Sequence, residues 1–158
     1  MRIATLTSVR TVRILDHREL QTATAIVALQ KPAYAIEAAL IGYDQMPGLI
    51  ESPADVAALN LAMLGAFDEG RLAGILGYQR TADVVDVDRV AVSTAHFRRG
   101  IGRSLLEALH ERESNALRFE VSTGSANPAA IALYTAAGYR RVQEETLGGI
   151  NIVHFERP

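Results

Sequence analysis

Two glycines and three arginines stand between an apolar run and an amphipathic one in residues 83–113 of this 158-residue chain. The valine-rich run from Asp83 to Ser93 has the length of a strand, and Ile101, Leu105 and Leu109 then recur at helical spacing. The first amides of a helix have no intrahelical partner and sit at the positive end of its dipole, so a glycine-lined entry lets an anion approach them. Arg98, Arg99 and Arg103 bring positive charge to Gly100 and Gly102. The chemistry this spacing suits is the holding of a phosphate or pyrophosphate. Gly100 and Gly102 alone also suit a tight turn and close helix packing. Two nucleotide motifs are excluded: no Lys-Ser or Lys-Thr follows either glycine, and Leu105 stands where the dinucleotide fingerprint needs Gly or Ala.

Downstream, Asn127 to Tyr139 reads N-P-A-A-I-A-L-Y-T-A-A-G-Y. Asn127 suits an N-cap with Pro128 at the first helical position, Ile131 and Leu133 face a core, and Gly138 suits a left-handed helix end. In this order the two segments resemble the GNAT family of N-acetyltransferases, in a bacterial subgroup of unassigned substrate. Val92 to Leu106 is similar to the family's acyl-CoA pyrophosphate loop, Q/R-x-x-G-x-G/A, with Gly100 and Gly102 in the glycine positions. Phe97 stands where the family usually has Gln or Arg, and Thr94 where a Pro is frequent. Backbone amides do most of the holding in such a cradle, so the departure at Phe97 touches only the side-chain part of the grip. Asn127, Tyr134, Gly138 and Tyr139 match the second segment. The resemblance implies acetyl-CoA as co-substrate, held by Arg98, Arg99, Gly100, Ile101, Gly102 and Arg103, by the strand backbone at Val90, Ala91 and Val92, and by Asn127 and Tyr134.

Acyl transfer from a thioester to an amine needs a proton taken from the incoming ammonium, a hold on the carbonyl, and a proton for the leaving thiolate. The resemblance gives the last task to Tyr134, against the plainer reading of a ring packed on the sheet with its hydroxyl at the edge. Strand alternation predicts Asp86, Asp88, Val90 and Val92 on one face, with Val85, Val87, Arg89 and Ala91 on the other. Asp88 is then the carboxylate nearest the acyl end and the candidate base, with an ion pair to a neighbouring arginine as its competing reading. Tyr34 and Glu37 lie in an A-Y-x-x-E-A segment that resembles the same bacterial subgroup, in which this region lines the acceptor pocket. They are expected to bind substrate and are rival bases, a solvated Glu37 being the plainer reading. His17, His96, His110 and His154 lack ligand spacing, so no metal is expected. His110 is expected on a solvated helix face, and His96 lies in the cradle loop, where a phosphate contact is one of its readings. The implied activity is N-acetyl transfer to a primary amine of a small molecule or a protein by direct attack. A CoA-binding sensor or interaction module without turnover is the alternative.

The elements that must position these residues follow from periodicity. A first strand carries Val12 and Leu15 after an aperiodic stretch, residues 1–10, read as frayed or a short extension. A helix over His17–Leu29 takes Asp16 as its cap and stops at Lys31-Pro32, and a second short helix holds Ile36, Leu40 and Ile41 before Gly42 and Pro47 break it. Ser52–Asn60 stays open between a short helix and a loop. Asp68-Glu69-Gly70-Arg71 reads as a hairpin turn between Leu61–Phe67 and Leu72–Tyr78. Leu117–Ser122 reads as a buried strand, and Arg141–Thr146 and Gly149–Phe155 as a closing pair. The order βααββββαβαββ implies an α/β fold with a mixed, mostly antiparallel central sheet flanked by helices, in a single domain over residues 1–158.

A hydrophobic fraction of 49% supports a packed core, and the absence of cysteine excludes disulfides, thiolate metal sites and cysteine nucleophiles. With a net charge of −2 and only two short basic clusters, no nucleic-acid partner is expected. No signal peptide or membrane segment is read, so a cytoplasmic protein without a membrane partner is expected, and a homodimer is compatible with the reading.

Overall fold

A computed structural model describes residues 10–158. Its frame is one seven-stranded sheet in the order β1-β2-β3-β4-β5-β7-β6. The strands are β1 (Arg10–Leu15), β2 (Ala62–Asp68), β3 (Arg71–Thr81), β4 (Val84–Val92), β5 (Arg118–Gly124), β6 (Arg140–Leu147) and β7 (Ile150–Arg157). Every neighbouring pair is antiparallel except β4 and β5, which run parallel. This is the mixed, mostly antiparallel α/β sheet that the sequence predicts. The β2–β3 turn has the predicted chemistry: Glu69 and Gly70 take left-handed φ of 50° and 79°, the handedness that suits the twist of a two-residue hairpin. The parallel pair needs a crossover, and α4 (Ile101–Arg112) supplies it.

Helices cover both faces. Under α4 and α5 (Pro128–Ala136) lies one core cluster, in which Ile101, Leu105, Leu106 and Leu109 meet Leu76, Val85, Phe119 and Phe155. A second cluster lies under α1 (Leu20–Ile41), where Ile26 and Leu29 meet Met63, Ile75 and Ala91. Two one-turn helices, α2 (Pro47–Ile50) and α3 (Pro53–Ala57), connect α1 to the sheet. Ser52 starts α3 with a reciprocal cap, its hydroxyl accepting from the Asp55 amide while the Asp55 carboxylate accepts from the Ser52 amide.

Four expectations are corrected. The predicted break at Lys31-Pro32 does not occur: α1 runs through Pro32 and joins the two expected helices into one. Proline removes the hydrogen bond to the carbonyl four residues back, but buried Ala23, Ile26, Gln30, Tyr34 and Ala38 hold one stripe across it, so packing on the sheet outweighs the local penalty. The cap is Glu19 without a side-chain hydrogen bond, not Asp16. Three strands, not four, lie between the N-terminal helices and α4, because β2, β3 and β4 with their tight turns consume residues 62–92. His110 is not on a solvated face: a ring nitrogen lies 2.8 Å from the Tyr139 hydroxyl, and burial, assisted by the Arg157 charge, lowers its pKa to about 4. Residues 1–9 lie outside the described residues, and Arg10 is the first residue of β1.

Candidate active site

β4 is paired with β3 to its end but with β5 only over its first half. The β4–β5 register runs from Val84 opposite Arg118 to Val87 opposite Val121 and stops, although β4 continues to Val92 and β5 to Gly124. Val90, Ala91 and Val92, the predicted backbone ligands, therefore border an opening on that side while Leu76, Ile75 and Gly74 of β3 pair them on the other. The parting coincides with a β-bulge: Gly77 pairs with Arg89 and Tyr78 with Val87, which leaves Asp88 as the extra residue.

The bulge also overturns the expected alternation. Val85 and Val87 belong to the core under α4, and beyond the bulge Val90 and Val92 pack against that same core. Ala91 joins the cluster under α1, and Arg89 turns to the same side, toward Gln30 of α1. One inserted residue reverses every side chain that follows it, so Asp88 does not continue the row that ends in Val90 and Val92.

At one end of the opening α4 begins. Its N-cap is Gly100 at φ 75°, and Arg98 is also left-handed at φ 63°. Left-handed residues interspersed in a turn aim successive amides into one concavity, which suits an anion. The two glycines do different work. A Cβ on Gly102 would stand 3.0 Å from Leu133 Cδ2, so Gly102 lets α4 close on α5, whereas a Cβ on Gly100 would meet only the Arg10 guanidinium at 3.5 Å. Arg98 and Arg99 are exposed beside this entry, and Arg103 points outward to pair with Glu107 at 3.1 Å. Arg10 was not anticipated. It reaches the cradle from β1, with Nη1 3.5 Å from Ser104 Oγ, and only long-range strand pairing reveals it. His96 instead turns to buried Asp68, 3.5 Å away, and Arg99 lies 3.9 Å from the same carboxylate.

At the other end α5, α1 and the bulge converge. Asn127 caps α5, its Oδ1 accepting from the Ala130 amide at 3.2 Å. Tyr134 is 5% exposed, its ring set between Tyr139 and Phe155 at 5.8 and 6.0 Å. Burial holds its phenol well above the ordinary range, and the nearby Glu37 carboxylate adds to the effect. Burial raises the Tyr34 phenol likewise; Arg89 opposes this, while Glu37, Tyr134 and Asp88 add to it. The Glu37 carboxylate thus lies within electrostatic range of both phenols, and Asp88 within range of Tyr34. Glu37 is not the solvated carboxylate of the plainer reading. Burial raises its pKa, while the Asn127 side chain beside it pulls weakly the other way.

Asp88 is differently placed. Its Oδ2 lies 2.6 Å from Arg89 Nε, and Glu51 grips the same guanidinium with both oxygens at 2.5 and 3.2 Å. Buried Gln30 completes the network, donating to Glu51 at 2.9 Å. Among the described residues no group of three or more His, Cys, Asp or Glu side chains is arranged to hold a metal ion.

The model of the acetyltransferase (GNAT) domain matches residues 60–141, over half of the chain and including the bulge, the opening and the glycine entry. The UPF0157 protein YqkA of Bacillus subtilis (strain 168) is 34% identical over 132 residues, 84% of this chain, and the chain spans 38% of that relative's length. Solved structures share the fold at low identity. The ribosomal-protein-S18-alanine N-acetyltransferase of Escherichia coli superposes with a TM-score of 0.75 at 20% identity, covering 95% of this chain and 94% of that one. The PaiA N-acetyltransferase of Thermoplasma acidophilum, solved with coenzyme A, gives 0.75 at 17% identity, covering 92% and 98%. The putative acetyltransferase yncA of Salmonella typhimurium, solved with acetyl-CoA, gives 0.72 at 19% identity, covering 93% and 92%. Since the family's domain spans the strands and the helix entry that build the opening, the chain belongs to the GNAT acetyltransferase family.

Proposed function

We propose that this chain transfers an acetyl group from acetyl-CoA to a primary amine, by direct attack of the amine on the thioester while both are bound. The observation that carries the reading is the β4–β5 opening, with an anion-suited helix entry at one end and, at the other, a buried tyrosine within electrostatic range of the half-buried carboxylate of Glu37. The concavity at Gly100, with Arg98, Arg99 and Arg10 beside it, suits the pyrophosphate, and the unpaired edge of β4 offers backbone groups to the amide-bearing arm. Tyr134 would donate a proton toward the leaving thiolate. Between the two carboxylates, Glu37 is the better base: Asp88 is paired with Arg89, while Glu37 forms no ion pair among the described residues and holds a proton more tightly than an ordinary glutamate. Tyr34 and Glu37 then face the acceptor, which is the amine of a small molecule or a protein.

Calorimetry with acetyl-CoA, followed by release of free thiol over a panel of amines, tests the reading. Binding with amine-dependent release supports it; binding without release from any amine would favour the non-catalytic module, and absence of binding removes both. Gly100→Asp should weaken binding by roughly tenfold or more, since it sets a carboxylate against the anion and adds left-handed strain of about 1 kcal/mol. Affinity of the variant equal to that of the parent would move the cradle elsewhere.

The base assignment makes a prediction about pH. Glu37 acts only when deprotonated, and its carboxyl is raised, so kcat/KM should climb with pH through an apparent pKa above the ordinary value of about 4.3. Glu37→Gln should remove that limb and lower kcat/KM by roughly 10²-fold, whereas Asp88→Asn should keep it. A limb unchanged in Glu37→Gln would return the role to another group.

A further inference from the structure

A second arrangement suited to acyl chemistry lies across β5, β7 and β6. Ser122 of β5 and His154 of β7 are direct cross-strand partners, and Ser122 Oγ lies 2.6 Å from His154 Nδ1. On the far side of the ring, His154 Nε2 lies 2.6 Å from Glu145 Oε1 of β6. A carboxylate accepts only from a protonated nitrogen, so with Nε2–H donating to Glu145 the neutral ring presents its Nδ1 lone pair to the serine hydroxyl. A hydroxyl, a base and a group that orients the base thus stand in hydrogen-bonding order, the arrangement that activates a serine nucleophile. Val121, Val153 and Phe155, the neighbours along these strands, point the other way into the core. The three polar side chains are therefore on the face opposite α4 and α5.

Position connects this chain of groups to the opening. Val87 and Val121 form the last β4–β5 pair, so Ser122 is the first residue of β5 beyond the apex, as bulged Asp88 is of β4. From that apex the hydrogen bonds run outward over β7 to β6, the sheet edge. Ser122 is exposed, and the side chains of His154 and Glu145 are 31% and 35% exposed, so water has access to the hydroxyl and the ring.

We propose that Ser122 is an acyl-accepting nucleophile, activated by His154 and Glu145, which takes the acetyl group from acetyl-CoA when no amine occupies the acceptor site. The proposal rests on the acetyl-CoA reading above. As Ser122 Oγ bonds to the thioester carbon, its proton passes to His154 Nδ1, and the Glu145 carboxylate stabilises the resulting imidazolium. Backbone amides on the unpaired edge of β4 are available to the oxyanion. The C–S bond then breaks and the thiolate takes the proton from the imidazolium, leaving acetyl-serine, free CoA thiol and neutral His154. Attack of water on the ester, with His154 again accepting the proton, releases acetate and restores the serine. No oxidant or further reactant is needed.

The test incubates the 158-residue chain with acetyl-CoA and no amine, with acid quenching at intervals. Intact and peptide mass spectrometry, acetate release and calorimetry of acetyl-CoA binding are read on the same preparations. The expected result is one acetyl group on the peptide containing Ser122, or Ser122-dependent acetate release where the ester turns over before it accumulates. Ser122→Ala should abolish both, and His154→Gln should slow them by roughly 10²-fold, with acetyl-CoA binding unchanged in each variant. Glu145→Gln should slow them less. Binding of acetyl-CoA with neither adduct nor Ser122-dependent acetate overturns the proposal and leaves amine transfer standing, as does an adduct whose rate His154→Gln does not alter. Absence of binding overturns both readings together.

Discussion

Arg89→Ala is expected to lower the unfolding free energy by about 3–5 kcal/mol, the cost of removing one partner from a buried ion pair. The Arg89 side chain is 5% exposed and that of Glu51 10%, and the guanidinium donates to Gln30, Glu51 and Asp88 together. Without the arginine, Glu51 is left beside fully buried Gln30 with a charge to desolvate. The pair itself is not a large net gain over an apolar filling. Arg89→Met combined with Glu51→Leu should therefore recover much of the lost stability, since no charge is left unpaired. Urea denaturation of the single and double variants checks this through the transition midpoints. A loss under 1 kcal/mol for Arg89→Ala would mean that Glu51 reaches water when freed. Function should respond differently from stability, because the double variant also releases Asp88 from its ion pair at the apex of the opening.

Features governed by near neighbours in the chain were legible. The Glu69-Gly70 turn, the Gly100 entry to α4 with its buried Ile101, Leu105 and Leu109, and the Asn127 cap of α5 all follow from residues within about one turn of each other. The features that shape the candidate site depend on contacts distant in sequence. Pro32 signals a break, and only the stripe that α1 buries on the sheet shows why the helix continues. Asp86, Asp88 and Arg89 read as regular alternation, because a bulge is a mismatch between two strands and leaves no mark on one of them. Arg10 lies ninety-four positions from Ser104, and its place at the cradle depends on β1 joining the edge of the sheet. Glu37 has an amphipathic helix's sequence around it, yet the fold half-buries it and brings the distant Asn127 side chain beside it. Ser122, His154 and Glu145 come from three strands, and their order becomes visible only once β7 lies between β5 and β6.

Tyr134→Phe is expected to lower kcat by roughly 10²-fold, the low end of what general acid help contributes, with acetyl-CoA affinity nearly unchanged. Phenylalanine keeps the ring contacts with Tyr139 and Phe155 and removes only the hydroxyl, so the packing of α5 on the sheet survives. Two properties of the leaving group and the acid set the size. A thiolate, with a conjugate acid near pKa 8.5, departs readily by itself. The Tyr134 phenol is held above its ordinary value of about 10 by burial, so complete proton transfer to the sulfur is uphill, and the hydroxyl acts by hydrogen-bonding the charge that develops there. The same shift has a second consequence. A phenol raised in this way stays protonated throughout the working range, so Tyr134 contributes no alkaline limb to kcat below about pH 10. Measuring kcat and affinity for both proteins from acid to alkaline pH checks each part. If Tyr134→Phe removes an alkaline limb present in the parent, the phenol ionises within that range and its environment is more polar than burial implies. If kcat is unchanged at every pH, the hydroxyl has no share in thiolate departure and the residue serves only to pack α5 on the sheet. A fall in affinity parallel to kcat would instead assign it to holding the CoA arm.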